Sequence, residues 1–230
     1  MAFSDSFLLR HDQADSSGKL RLSELLLIAQ RIATAHVESL GIGPEKTFQR
    51  GYLWVIARQR FVIDSLPRYG DFVEAETHPA AMRAYVYPRH YALKKEGKTI
   101  IRGVAAWMLI DAKQRKILTP SQSGIIIPGE VGEGELSFPS SLLVPKLPHQ
   151  AELTAKWSMC DANGHLNNTK YLDLCEDLLP FDFLLSHPAK EICCEYKKEI
   201  RLGESFLLAY GEADGAYWFS SDRFVIRISY

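Results

Sequence analysis

An acid, an amide and an imidazole stand at alternate positions in the run Asp161-Ala-Asn163-Gly-His165-Leu-Asn-Asn168. In extended backbone, a period of two sends Asp161, Asn163 and His165 to the same side. A carboxylate can orient an imidazole and stabilise its cation, and the imidazole can carry a proton near neutral pH. An amide can bond a carbonyl oxygen or the ring. Amides at the start of the helix expected next favour negative charge as it develops. Such a set suits hydrolysis without a serine or a thiol. The same residue types also build turns and helix caps, because Asn, Asp and Gly satisfy backbone groups locally.

The elements that must position these residues follow from periodicity. Apolar residues at Leu25, Ile28, Ala29, Ile32, Ala33, Val37 and Leu40 predict a helix over 23–40, with Ser23 at its start and Gly41 at its end. Tyr171, Leu172, Leu174, Cys175, Leu178 and Leu179 predict a second over 168–179, stopped by Pro180. Strands are expected at 52–64, 71–78, 85–94, 99–110, 152–160, 192–200, 205–210 and 217–230, all rich in Val, Ile, Tyr, Phe or Trp. Asp214-Gly215 reads as a tight hairpin turn.

The chain also repeats itself. Asp15-Ser-Ser17-Gly-Lys19-Leu20 precedes the first helix as Asp161-Ala-Asn163-Gly-His165-Leu166 precedes the second, 146 positions later. Arg68-Tyr-Gly70 is echoed by Arg201-Leu-Gly203, and Lys95-Glu-Gly97 by Ala213-Asp-Gly215. These echoes predict an α+β fold made of two copies of one unit, a double hotdog in which each half lays a long helix on a curved antiparallel β-sheet. Residues 1–128 form the first copy and 149–230 the second. The Pro- and Gly-rich stretch 129–148 is a linker not expected to form a packed element. The two sheets can pair edge to edge and remove an exposed edge. The copies are chemically unequal: Ser17 stands for Asn163 and Lys19 for His165, so only the acid is kept and one site per chain is expected.

Composition narrows the class. At 230 residues, 47% hydrophobic and 24% charged, the chain has the make-up of a globular domain with a sizeable core. A net charge of −1 argues against a nucleic-acid partner. Neither a secretory leader nor an apolar run long enough to cross a bilayer is visible, so a cytoplasmic protein without a membrane partner is expected. Cys160, Cys175, Cys193 and Cys194 follow no metal or disulfide spacing and read as reduced thiols. No nucleotide, metal or cofactor fingerprint appears, so no cofactor is expected. Trp54 and Trp107, in strand-like runs, read as core. Glu199, in an extended strand, would share a charged face with Glu195, Lys197 and Arg201.

Several ordered segments together resemble the acyl-acyl-carrier-protein (acyl-ACP) thioesterases, in a bacterial form without a plastid transit peptide. They are the strand Leu53 to Asp64, Pro67-Arg-Tyr-Gly-Asp71, Val73-Glu-Ala-Glu-Thr77, the Trp-led strand 106–111 with Arg115-Lys116, the signature from Asp161 to Tyr171, and Glu195-Tyr-Lys-Lys-Glu199. The resemblance implies hydrolysis of a fatty-acyl thioester on acyl carrier protein and carries over Asp161, Asn163, His165 and Glu199 as catalytic residues. Glu199, 34 positions beyond His165, would attack the thioester or activate water. His165 would be its acid/base partner and could protonate the departing thiolate, Asp161 would hold the imidazole, and Asn163 would donate to the carbonyl or orient the nucleophile. Plant members carry a cysteine directly after the glutamate; here Ile200 stands there, which excludes a thiol nucleophile at that position. An acyl-CoA thioesterase, a non-catalytic acyl-thioester binder and a hotdog dehydratase are the competing readings. A homodimer is compatible with the sequence.

Overall fold

The structure, a computed structural model, describes residues 2–129 and 136–230. In the first half β1 (Phe3–Leu8), α1 (Leu22–Ser39) and α2 (Pro44–Gln49) precede β2 (Tyr52–Ile63), β3 (Phe72–Pro79), β4 (Val86–Lys95) and β5 (Lys98–Asp111), with α3 (Pro120–Ser123) following. The second half runs β6 (His149–Thr154), α4 (Lys170–Glu176), α5 (Phe181–Ser186), β7 (Glu191–Tyr196), β8 (Ser205–Ala213), β9 (Ala216–Ser220) and β10 (Phe224–Ser229). The strands form one antiparallel sheet in the order β1-β3-β4-β5-β2-β7-β10-β9-β8-β6. Each half contributes five strands in the same internal order, and β2 meets β7 at the centre, so the architecture is the tandem hotdog.

The duplication extends to small features. β1 and β6 begin 146 positions apart, as do the single 3₁₀ turns His11–Gln13 and Trp157–Met159. α1 is one helix of 18 residues. The second helix is shorter than its apolar period: α4 ends at Glu176, the chain turns through Leu179, and Pro180 starts α5. Proline has no amide to continue the ladder and its ring crowds the preceding turn, so the counterpart of α1 is broken in two. α1 and α4 are in contact. Leu25, Ile28 and Ile32 of α1 share one buried cluster with Tyr171, Leu172 and Cys175 of α4 and with Phe61, Ile192 and Phe224 of the sheet. One core therefore serves both halves.

Further sequence expectations need correction: the strand expected over 152–160 is β6 (His149–Thr154) followed by the 3₁₀ turn Trp157–Met159. β1 was not apparent, because Ser-Asp-Ser at its centre suits a partly exposed edge strand and hides the apolar alternation. The stretch 217–230 is two strands, separated where the Ser221 hydroxyl accepts from the amides of Arg223 and Phe224. The echo of Lys95-Glu-Gly97 in Ala213-Asp-Gly215 is not an equivalence: the first joins the fourth and fifth strands of its half, the second the third and fourth. The stretch 129–148 also departs from its reading. Residues 130–135 lie outside those described; residues 136–148 form no helix or strand, yet they pack on the sheet. Leu142 and Leu147 cover Ala216, Trp218 and Val225, and Glu195 accepts from the Ser141 hydroxyl and the Leu142 amide. All four cysteines are free thiols, as expected.

Gly103 on β5 sits opposite Phe61 on β2. A Cβ at Gly103 would lie 2.3 Å from the Phe61 ring, which is fully buried. Gly103→Val is expected to cost about 1–3 kcal/mol through overpacking. Urea unfolding should show a lower midpoint at unchanged slope; an unchanged midpoint would mean that the core yields to the added side chain.

Candidate active site

Asp161, Asn163 and His165 do not lie on an extended strand. Asp161 to His165 is a turn in which the Asp161 amide donates to the His165 carbonyl (2.8 Å) and Gly164 takes φ +74°. The Asp161 Oδ1 accepts the amides of Asn163 (2.9 Å) and His165 (3.2 Å). The first half builds the same turn without the chemistry. Asp15 Oδ1 accepts the amides of Ser17 (2.7 Å) and Lys19 (3.1 Å), and Gly18 takes φ +76°. This explains why only the acid survives in both copies: its carboxylate satisfies backbone amides whatever the neighbouring side chains do. Among the described residues Asp161 makes no hydrogen bond to the His165 ring, contrary to the role expected for it.

Glu199 meets that ring instead. β7 ends at Tyr196, not at Ile200, because the amides of Lys197 and Lys198 both turn to the Arg223 carbonyl (2.7 and 3.0 Å). Ile200, fully buried, anchors the departing segment, and its carbonyl accepts the Leu166 amide at 2.8 Å. Glu199 Oε2 is thereby placed 3.5 Å from His165 Nε2, within ion-pair reach and longer than a good hydrogen bond. The His165 side chain is 17% exposed and that of Glu199 40%, so the pair stands at an opening.

Arg115 completes the cluster from the other half. Its Nη2 donates to Glu199 Oε2 at 2.8 Å across 84 positions of sequence. Arg115 follows β5 in a turn where Asp111 Oδ1 accepts the amides of Lys113 and Gln114, and it holds φ +57°, uncommon for a residue with a Cβ. The sequence reading placed Arg115 in a basic turn without assigning it to the site, since no local pattern reports a contact across two halves.

Asp161, Asn163, His165, Glu199 and Arg115 all line one cavity of about 1010 Å³. Its other walls come mostly from the first half, including Val37, Trp54, Ile56, Tyr87, Trp107 and Ile127. Trp54 and Trp107, read as core from sequence, thus face a cavity. Tyr171 and Tyr196 lie on the inner wall, where burial pushes both phenols up. Cys194, beneath Tyr196, is fully buried and its thiol is raised to about 12 by that burial. Cys193 lies among Arg60, Glu191 and Arg227 away from the cavity. At the helix start the Thr169 amide donates to Asn167 Oδ1, and Thr169 itself makes no side-chain cap.

Comparison with known proteins follows this division. Residues 1–121 match the family model of the acyl-ACP thioesterase N-terminal domain, and residues 145–215 match that of the C-terminal domain. The chain belongs to the acyl-ACP thioesterase family. The chloroplastic palmitoyl-acyl carrier protein thioesterase of Gossypium hirsutum is 24% identical over 215 residues, 86% of this chain and 52% of that protein. The chain thus spans about half the length of the curated relatives it matches. An acyl-ACP thioesterase from Bacteroides thetaiotaomicron superposes with a TM-score of 0.85 at 20% identity, covering 99% of this chain and 97% of the other. The 12:0-ACP thioesterase of Umbellularia californica gives 0.82 at 20% identity, covering 99% and 96%. These structural likenesses establish the shared fold.

Because Asp15 and Asp161 hold equivalent turns, Asp15→Ala and Asp161→Ala should each lower unfolding free energy by about 1 kcal/mol. Urea titration of both variants checks this. Full stability in Asp161→Ala beside a destabilised Asp15→Ala would remove the turn-holding role from Asp161.

Proposed function

We propose that this chain hydrolyses fatty-acyl thioesters borne on acyl carrier protein, releasing the free acid and the carrier's pantetheine thiol. The observation that carries this reading is the His165–Glu199 pair, held at the mouth of a large and mostly apolar-walled cavity. Cavities of this size suit a chain-like ligand, and an acid–base pair at the opening places the chemistry where the thioester would stop. The names of the relatives agree with it. Residues 1–128 would supply the acyl pocket and residues 149–230 the reacting groups.

The Glu199 carboxylate either attacks the thioester carbon, forming an anhydride that water then cleaves, or removes a proton from water that attacks directly. In both routes the C–S bond breaks and the sulfur leaves with a proton from His165, so one water is consumed per acid and thiol formed. Asn163, on the cavity wall, donates to the carbonyl oxygen as it gains charge. Arg115 fixes the direction of the Glu199 carboxylate. Asp161 keeps His165 in place through the turn rather than through the ring. His–carboxylate spacings that are long without substrate commonly tighten when it binds. Lys197 and Lys198 line the same opening and complement the phosphate of a pantetheine arm or an acidic carrier surface.

Thiol release from acyl-ACP substrates of C8 to C18 tests the proposal. Wild type should show a chain-length optimum, and His165→Ala and Glu199→Gln should each lose at least about 100-fold in kcat while keeping the wild-type unfolding midpoint. Near-wild-type turnover in either variant removes that residue from the mechanism. Faster turnover of the matching acyl-CoA esters, compared by kcat/KM, reassigns the donor.

A further inference from the structure

The inner end of the cavity is not apolar. Arg89 of β4 lines it while being only 4% exposed. Its Nη1 lies 2.9 Å from His36 Nδ1 and 3.2 Å from Thr77 Oγ1. Both partners are themselves buried, His36 on α1 and Thr77 on β3. His36 is neutral at physiological pH, since burial and then the charge of Arg89 hold it down to about 4; Nδ1 is therefore an acceptor. Among the described residues no carboxylate stands within ion-pair distance of Arg89. A guanidinium carries five N–H donors, and the two contacts to His36 and Thr77 both use Nη1.

The distance from the reacting groups is set by the sheet. β7, β2, β5 and β4 are successive neighbours, and Arg89 pairs with Ala105, Ala105 with Gln59 and Gln59 with Cys194. Three strand spacings across the sheet and the five residues from Cys194 to Glu199 along it put the two groups on the order of 20 Å apart. A chain attached at the Glu199 end and running down the cavity would bring its far end to Arg89. A methyl terminus there would strip hydration from a buried cation and return nothing. An oxygen terminus would supply an acceptor, and a carboxylate would also supply a charge that none of the described residues provides.

We propose that Arg89, set by His36 and Thr77, forms a terminal subsite that selects acyl chains bearing an oxygen acceptor at the end remote from the thioester, a carboxylate above all. This rests on the reading of the cavity as an acyl site, and the test separates the two. Binding of matched free acids of C8 to C16 is measured by calorimetry on the full chain, in three series: plain fatty acids, ω-hydroxy acids and α,ω-diacids.

At the length that spans the cavity, the diacid should bind wild type at least about tenfold more tightly than the plain acid, with the ω-hydroxy acid between them. Arg89→Met should lose that order. Plain acids binding as well as the oxygenated ones overturns the subsite and leaves the acyl reading intact. A preference that survives in Arg89→Met also overturns it. Binding of none of the three series would overturn the acyl reading and the subsite together. The wild-type comparison decides the matter even where the variant does not fold.

Discussion

Strands β2 and β7 are the inner edges of the two halves, and their antiparallel register decides where each wall of the cavity stands relative to Glu199. Arg58 lies opposite Glu195 and Val62 opposite Glu191. Ion pairs reinforce the seam from the outer face: Arg58 with Glu195 at 3.1 Å, and Glu191 between Arg60 (2.7 Å) and Arg227 (2.6 Å). A slip of one residue would turn every side chain of one strand to the opposite face. It would bury these charges and break the reach of Arg115 to Glu199. The pairing also removes two strand edges that would otherwise be open to other chains.

Within that frame the two copies have diverged in what they do with one scaffold. Both keep the aspartate-held turn, and both dock it on the segment that follows their second strand: the Leu20 amide donates to the Pro67 carbonyl as the Leu166 amide does to that of Ile200. Only the second carries an imidazole and a facing carboxylate. In the first, Leu66 stands where Glu199 would be when Gly70 is aligned with Gly203, and it packs against the core. The cavities diverge too. At the 146-position offset, the counterpart of the cavity residue Val37 is Phe183, whose ring packs on Tyr217 and Tyr230 at 5.1 and 5.2 Å. A bulky ring cluster thus occupies that side, and the open volume lies in the first half. The site borrows most of its walls and Arg115 from one copy and the His165–Glu199 pair from the other.

Much of this was legible in the residues. The 3.6-residue period from Leu25 to Val37 gave α1, and Asp214-Gly215 marked a hairpin whose left-handed backbone the structure contains. The signature and the glutamate could be paired only through the family pattern, since Glu199 by itself resembles a solvated charged face. What stayed hidden was set by long-range contacts. The end of β7 depends on Arg223, the packing of residues 136–148 on Glu195 and Trp218, and the place of Arg115 on a residue 84 positions away. The aspartate's true partners were hidden for a simpler reason: a carboxylate flanked by amides and an imidazole can serve either, and only backbone geometry distinguishes them.

In the proposed mechanism a single reactive site is assembled across both halves, with Arg115 of the first directing Glu199 of the second. The most direct measurement is kcat/KM of Arg115→Met on an acyl-ACP substrate that wild type turns over, beside its unfolding midpoint. A loss on the order of 100-fold is expected, with the midpoint within a few degrees of wild type, because an exposed ion pair adds little to stability. Wild-type kcat/KM in a folded Arg115→Met would contradict it.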